Sequence, residues 1–263
     1  WQRMADAGQK FDPKAYISAV YGYYATPDGK LLSMPFNSST PVFYINKDAY
    51  KKAGLDPNKA PKTWKEFTAA AEKLKAAGQA CVYTTGWPSW VHVENLSAWH
   101  NVPIGTKENG IAGMDTEFKV NSPLHVRQVT MLADFAKRGL FTYAGRRNEG
   151  EAKFFSGECA MVTSSSAAQA NIKRNAKFEF SVNFLPYHDD IKGAPQNSII
   201  GGASLWVMGG KTNNAYKGVA KFMGFLSQPA LQADWHQSTG YVPITNAAAD
   251  ITRKSGFYEK NPG

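Results

Sequence analysis

The sequence predicts an α/β fold, because helical segments alternate along the chain with short apolar strands. The length of 263 residues is large for one domain and suits two lobes or two modest domains. Hydrophobic residues make up 43% and charged residues 19%, an ordinary composition for a folded globular protein. No Gly/Ser-rich or Pro-rich linker divides the chain, so we expect it to pass between two lobes through strands rather than through a flexible tether.

Four helices are predicted from the residues at their ends. The capping box Thr63-Trp-Lys-Glu66 begins the first helix, and Gly78 is placed to end it. The pair Ser122-Pro123 begins the second, with serine as the cap and proline in the first turn. The four predicted helices cover residues 63–75, 122–138, 215–226 and 229–239.

Five short strands are predicted between the helices. Each is an apolar run of strand length that follows a glycine, a proline or a helix end. The predicted strands cover residues 42–45, 80–83, 159–163, 178–185 and 203–208.

The charge pattern restricts the class of partner. The formal net charge is +9, but lysine and arginine are dispersed, and the densest groups are pairs such as Lys51-Lys52 and Arg146-Arg147. A nucleic-acid-binding tail would carry a longer basic run. The pattern therefore favours a solvated basic surface, and an anionic small ligand is compatible with it.

Cysteine content and apolar runs leave the compartment open. Cys81 and Cys159 can form one disulfide or serve as two buried thiols, and the sequence does not choose between these. Apolar runs are too short for a membrane span. The chain opens at Trp1 without a recognisable secretion signal, so we expect a mature protein or a fragment.

Sequence motifs for catalysis are absent. The chain contains no His-Glu-x-x-His, no Gly-x-x-x-x-Gly-Lys, no Gly-x-Gly-x-x-Gly, no Gly-x-Ser-x-Gly and no Cys-x-x-Cys pattern. We therefore predict that the protein is not an enzyme and that it needs no cofactor and no metal.

Three polar clusters are candidates for a binding site, namely residues 36–41, 163–166 and 200–203. Serine hydroxyls add donors that suit an anion, and the glycines of the third cluster allow the backbone to approach a ligand. Each cluster also has a structural explanation: a polar turn, a helix N-cap and a strand-entry turn, respectively. The local sequence leaves both explanations open.

Aromatic residues supply two further candidates. Trp87 and Trp90 lie in a Gly/Pro loop, where they can form an aromatic wall or pack back onto the fold. Tyr241 lies on a turn after the fourth helix, where its hydroxyl can reach a ligand or its ring can cover the helix end. Five such clusters without a base or nucleophile indicate binding without chemistry, and hydroxyls and amides suit a phosphate.

Longer stretches of the sequence resemble a known family. Residues 44–57 and 61–66 resemble a segment common to the ABC solute-binding proteins for sugars and related solutes, in the order and spacing of strand, short helix and Thr-Trp helix start. A more specific resemblance covers nearly the whole chain and is to the members of this family that bind glycerol 3-phosphate. It is carried by residues 31–41, 194–197, 199–208 and 256–263.

The resemblance implies a fold and the boundaries of its lobes. It implies a two-lobed periplasmic-binding-protein fold of type II, like that of maltose-binding protein, truncated at both ends. Residues 1–43 then form part of lobe I, residues 44–202 form lobe II and residues 203–263 return to lobe I, with crossings near Val42 and Ala203. Family members extend beyond both ends of this chain, where they supply a tyrosine, a glutamate and an arginine to the site, so we expect this chain alone to bind poorly.

The resemblance also implies a function. It implies periplasmic capture of sn-glycerol 3-phosphate, with glycerophosphodiesters such as glycerophosphocholine as further ligands, and delivery to the membrane subunits of an ABC permease. It implies a monomer that binds no nucleic acid. Two alternatives stay open: an oligosaccharide-binding protein of the same superfamily and an enzyme that acts on phosphoesters. The residues that match ligand contacts of the family are Ser39, Trp87, Trp90, Ser165, Gly202 and Tyr241.

Overall fold

The computed structural model describes residues 8–9 and 11–261. These residues form two compact units. The first unit combines the chain up to Ser39 with the chain from Ile200 onwards, and the second unit is Thr40–Ile199. The sequence predicted crossings near Val42 and Ala203, and for the whole protein these lobe limits stay a prediction.

The strands are β1 (Met34–Ser39), β2 (Pro41–Asn46), β3 (Cys81–Thr85), β4 (Cys159–Ser165), β5 (Phe180–Asn183) and β6 (Gly201–Leu205). The helices are α1 (Ser18–Tyr23), α2 (Lys47–Lys52), α3 (Trp64–Ala76), α4 (Asn95–Trp99), α5 (Pro123–Lys137), α6 (Glu149–Phe155), α7 (Gln169–Asn175), α8 (Asn213–Leu226), α9 (Pro229–Thr239), α10 (Asn246–Lys254) and α11 (Phe257–Lys260). Single turns occur at Pro13–Ala15, Trp90–Glu94, Thr106–Asn109 and Ser166–Ala168.

The second unit is built on a four-stranded mixed sheet in the order β3-β4-β2-β5. Strands β3 and β4 are parallel, whereas β2 runs antiparallel to both of its neighbours. All residues of β3 and β4 are buried, because helices cover both faces of the sheet, and such strands read as apolar runs. This explains why the sequence predicted these strands well.

Helix α3 shows how the sequence fixes this packing. Its capping box is present: Thr63 Oγ1 accepts from the Glu66 amide at 3.1 Å, and the Glu66 carboxylate accepts from the Thr63 amide at 3.4 Å. The apolar residues of the helix recur at three- and four-residue spacing, so one face is buried against the sheet. On that face, Phe67 packs against Phe43 and Tyr83 and is fully buried.

The cysteine question is settled by the register of the sheet. Cys81 and Cys159 are opposite each other in the parallel pair β3–β4, with their Cα atoms 4.3 Å apart, and they form a disulfide. Of the two alternatives that the sequence left open, the bonded one is found.

The first unit has a smaller core. Strands β1 and β6 form an antiparallel pair with an irregularity between Pro35 and Asn37. One apolar cluster surrounds Met34 and Met223, and another surrounds Tyr16 and Ile244. Helices α9 and α10 pack against each other.

Two predictions need correction in this unit. Residues 36–41 were predicted as a polar cluster or turn, but Met34–Ser39 is a strand, because its backbone pairs with β6 although its side chains are mostly polar. Strand β6 ends at Leu205 rather than at Met208, and residues 206–208 are exposed and extend beyond the end of β1.

Candidate functional site

Three of the predicted site residues lie on the second unit, at the carboxyl ends of two parallel strands. Thr85, the last residue of β3, is the register partner of Thr163 in β4. Trp87 follows the end of β3, and Ser165 is the last residue of β4. The structure therefore brings Trp87 and Ser165 to the same edge of the sheet, where ligands of α/β proteins commonly bind.

The backbone at Trp87 is held in an unusual conformation. Trp87 has a φ of 51°, in the left-handed region that bulky residues seldom adopt. Hydrogen bonds fix it on two sides: the Gly86 amide donates to Thr163 O at 2.8 Å, and the Trp87 amide donates to Arg147 O at 2.7 Å. The side chain remains 37% exposed. Such strain is kept where surrounding contacts determine it and is common at ligand sites.

Gly86 is required by the packing at this turn. A Cβ atom at Gly86 would lie 2.6 Å from Ser164 Oγ, which is closer than real Cβ contacts. The absence of a side chain lets the turn before Trp87 lie directly on the end of β4. The two predicted clusters, 86–90 and 163–166, are therefore in contact through Gly86 and Ser164.

Trp90 has a different environment from Trp87. It opens the π-helical turn Trp90–Glu94, a rare conformation that is frequent near functional sites. Its side chain is half-buried and packs against the main apolar cluster of the second unit. Trp90 therefore serves the core at least in part, as the structural explanation of this loop suggested.

A buried polar chain lies behind this loop. The Tyr83 hydroxyl contacts Thr163 Oγ1 at 2.7 Å and His92 Nε2 at 3.0 Å. The other ring nitrogen of His92 contacts the Gln128 amide at 3.1 Å, and the Gln128 oxygen contacts His188 Nε2 at 2.9 Å. Burial lowers the pKa of His92 to about 3 and that of His188 to about 4, so both imidazoles are neutral near pH 7. These hydrogen bonds fix the turn Trp90–Glu94, because His92 lies within it.

Ser165 is the N-cap of the turn Ser166–Ala168. Its Oγ accepts from the Ala167 amide at 3.1 Å, and its carbonyl accepts from the Tyr44 hydroxyl at 2.9 Å. The structural explanation of this cluster is therefore correct. The hydroxyl hydrogen of a capping serine remains available to donate, so the cap does not conflict with ligand binding.

The other three predicted residues lie on the first unit, around Ser38. Ser38 is the register partner of Gly202, and Ser39 that of Gly201. The Val242 amide donates to the Ser38 carbonyl at 2.8 Å, so Tyr241 lies beside the same strand. The structure thus brings Ser39, Gly202 and Tyr241 together within this unit.

The pairing of β1 with β6 requires a glycine at position 202. Its φ is 112°, and a Cβ atom would collide with the carbonyl of Asn37 on the paired strand. The Asn37 side chain accepts from the Ala203 amide at 2.8 Å, which tightens this approach. Glycine is needed here whether or not its amide contacts a ligand.

The turn after α9 fixes the backbone of Tyr241. Gly240 ends the helix with a φ of 85°, and the Tyr241 amide then donates to Thr239 Oγ1 at 3.2 Å. His236 donates from Nδ1 to the Tyr241 carbonyl. The phenol ring is half-buried, which is compatible with both predictions for Tyr241: a hydroxyl that reaches a ligand and a ring that covers the helix end.

An aromatic groove on the second unit was not predicted from the sequence. It has a volume of about 640 Å³ and contains none of the predicted residues. Trp99 and Phe184 stack on each other there with ring centroids 6.1 Å apart. The lining residues come from five separate segments, so no local pattern could have indicated the groove.

Two kinds of site are not found among the described residues. Within residues 8–9 and 11–261, no group of three or more His, Cys, Asp or Glu side chains is arranged to hold a metal ion. In the same part of the chain, no helix is both long and apolar enough to cross a bilayer.

The sequence matches a family over almost its whole length. Residues 3–263 match the bacterial extracellular solute-binding proteins, and the chain belongs to this family. The chain is 55% identical over 259 residues to the sn-glycerol-3-phosphate-binding periplasmic protein UgpB of Pectobacterium atrosepticum, covering 98% of this chain and 58% of that protein. It is 52% identical over 264 residues to UgpB of Yersinia pestis, covering 100% of this chain and 60% of that protein.

Solved structures share the fold. The crystal structure of UgpB from Mycobacterium tuberculosis in complex with glycerophosphocholine matches with a TM-score of 0.80 at 22% identity, over 99% of this chain and 63% of that one. Maltose-bound MalE3 of T. maritima matches with a TM-score of 0.75 at 16% identity, over 98% and 69%. The predicted α/β fold of the maltose-binding-protein type is confirmed, and the chain spans 58 to 60% of the length of the curated relatives named above.

Proposed function

We propose that the protein containing this chain is the periplasmic solute-binding component of an ABC importer and that it captures sn-glycerol 3-phosphate. The observation that carries the proposal is the meeting of Trp87 and Ser165 at the ends of β3 and β4, in a chain 52–55% identical to glycerol-3-phosphate-binding proteins. Aromatic surface beside hydroxyl donors suits a ligand with a carbon face and a phosphate.

Each predicted residue has a proposed role. On the second unit, Ser165 donates its hydroxyl to the polar end of the ligand, Trp87 packs on the glycerol carbons and Trp90 supports Trp87. On the first unit, the Ser39 and Tyr241 hydroxyls and the Gly202 amide donate to ligand oxygens. Exclusion of water would make each hydrogen bond stronger than in a solvated site.

Glycerophosphodiesters are proposed as further ligands. They share the glycerol and phosphate groups on which these roles depend. The mycobacterial structure that shares the fold holds glycerophosphocholine, which supports the proposal by analogy alone.

An oligosaccharide is the alternative ligand. The structure bound to maltose shares the fold, and the exposed ring of Phe184, stacked on the buried Trp99, gives the groove on the second unit an aromatic surface of the kind that sugars use. The high identity to the glycerol-3-phosphate-binding proteins favours the phosphate ligand over this alternative.

The protein delivers its ligand to the membrane subunits of an ABC permease, acts as a monomer, binds no nucleic acid and turns over no substrate. The absence of catalytic sequence motifs supports the last point. Incubation with a glycerophosphodiester should release no glycerol 3-phosphate above a protein-free control, and release would contradict the proposal.

The ligand is tested by a tryptophan-fluorescence titration of the full-length protein with glycerol 3-phosphate, with maltose as the control. The chain contains seven tryptophans, and Trp87 is exposed enough to report on a nearby ligand. We expect a saturable change with the phosphate and none with the sugar. A response to maltose alone would overturn the phosphate assignment in favour of the oligosaccharide alternative.

A further inference from the structure

A buried carboxylate lies directly beneath the candidate site on the second unit. Glu151 is on α6 and is 6% exposed. The Ser164 hydroxyl, itself fully buried, donates to Glu151 Oε1 at 2.6 Å. Ser164 is the residue before Ser165 and contacts Gly86, so Glu151 is one hydrogen bond away from both segments that carry the proposed ligand contacts.

The position of Glu151 is fixed by tight packing. Gly150, the preceding residue of α6, has no room for a side chain, because a Cβ atom would lie 2.5 Å from the Thr85 carbonyl. The start of α6 therefore lies against the end of β3. A glutamate at the next position is directed into the structure and away from solvent.

The surroundings of Glu151 favour its neutral form. Burial raises the pKa of the Glu151 carboxyl, and the hydrogen bonds from Ser164 and Asn148 partly offset this. Among the described residues, no ion pair includes Glu151. Buried carboxylates without a cation partner are costly in the charged state.

Titratable groups on the neighbouring elements do not neutralise this carboxylate. Strand β2 contributes Tyr44, whose pKa is raised by burial and then by the charge of Glu151. Strand β3 contributes Tyr83, which is bonded to Thr163 and His92, and β4 contributes only the disulfide-bonded Cys159.

Nearby charged residues on helices and loops are exposed or half-buried. On α6 itself, Glu149 bonds to the Arg147 amide, and Lys153 pairs with Glu158. Helix α7, which packs against α6, carries Lys173 and Arg174 at exposed positions.

We propose that Glu151 is a positioning residue that couples capture of the anionic ligand to uptake of a proton. The inference rests on the proposed function, because it needs a phosphate near Ser165. A phosphate placed there would bring its negative charge close to that of the ionised Glu151 carboxylate. Like charges disfavour each other's ionised form, so binding favours the protonated carboxyl, which still holds Ser164 by a hydrogen bond.

The direction of the pH dependence follows from this coupling. Bound ligand raises the pKa of Glu151 further, so affinity is highest where Glu151 is already protonated. Affinity falls as pH rises through the window between the pKa of the free protein and that of the complex. One linked proton limits this fall to about tenfold per pH unit.

The test is calorimetric titration of the full-length protein with glycerol 3-phosphate, repeated across pH in buffers that differ in ionisation enthalpy. The phosphate of the ligand titrates in every variant, so the difference between variants isolates Glu151. We expect E151Q to take up fewer protons on binding than the wild type and to lose the corresponding part of the pH dependence.

Two further variants keep the test decisive. E179Q removes a carboxylate from an exposed position on the same unit and should behave like the wild type. S164A removes the hydroxyl that lowers the pKa of Glu151, so its proton uptake should shift to higher pH, even if E151Q does not fold.

The outcomes separate the two proposals. Equal proton uptake in the wild type and E151Q, or an unshifted profile in S164A, would overturn the role of Glu151 while leaving ligand binding intact. No heat of binding at any pH in the wild type would instead contradict the proposed function.

Discussion

The two units of this chain build apolar cores of different size. The second unit buries Phe43, Phe67 and Phe135 almost completely around a four-stranded sheet. The first unit leaves Trp206 and Phe222 more than half exposed beside a two-stranded sheet. A pair of strands has little stability by itself, whereas a sheet covered by helices can hold a cooperative core.

The candidate site residues differ in the same way. Those on the second unit lie on turns after the strands, supported by buried hydrogen bonds behind them. Those on the first unit lie in or beside the strand pair, and Gly202 is fixed by the pairing itself. Side-chain changes at Trp87 and Ser165 should therefore act through the site, whereas a side chain added at Gly202 should act through the fold.

The largest expected effect is on the core of the second unit. Phe67→Ala should lower the free energy of unfolding by about 3–5 kcal/mol, because it leaves a cavity among fully buried rings. The matched change Phe222→Ala, at a side chain 56% exposed on the first unit, should cost less than about 1 kcal/mol. Urea unfolding of the 263-residue chain measures both, and equal losses would contradict the comparison.

A smaller effect is expected at the strand pair of the first unit. Gly202→Ala should destabilise the β1–β6 pairing by roughly 1–3 kcal/mol, because a Cβ atom meets the Asn37 carbonyl at a left-handed φ. Faster hydrogen exchange of the β1 amides would report this. Gly209→Ala is the control, since a Cβ atom there has no neighbour within 4 Å. Similar exchange in both variants would show that the close approach at Gly202 is tolerated.

Elements with strong local signals were predictable from the sequence. The capping box at Thr63, the helix start at Pro123 and the apolar run of β4 are present where they were predicted. The Ser122 hydroxyl, predicted as a cap, contacts His125 Nδ1 instead of a backbone amide of the helix. Strand β1 was not recognised, because its polar residues 37–39 are buried by pairing with β6, a contact distant in sequence. The disulfide was left open for the same reason, since only the register of β3 against β4 brings the two cysteines together.

The sequence predicted which clusters of residues form the candidate site, but it did not predict the contacts that hold them in place. Sequence patterns indicated the serines, glycines and tryptophans, and the resemblance to a family chose among them. Glu151 was missed, because a glutamate in a polar helix start looks like an exposed residue until Gly150 and Ser164 are placed around it. The left-handed conformation of Trp87 also depends on distant partners, Thr163 and Arg147. The contributions of the predicted residues to binding stay predictions.

The most direct test of the proposed site compares two tryptophans of similar exposure. Trp87 is 37% exposed on the second unit, and Trp235 is 40% exposed on the first unit, outside the proposed set. In the full-length protein, Trp87→Ala should weaken binding of glycerol 3-phosphate by about 1–3 kcal/mol, because aromatic contact with the glycerol carbons is lost. Trp235→Ala should leave the dissociation constant unchanged. Unchanged affinity in Trp87→Ala would contradict the proposed site.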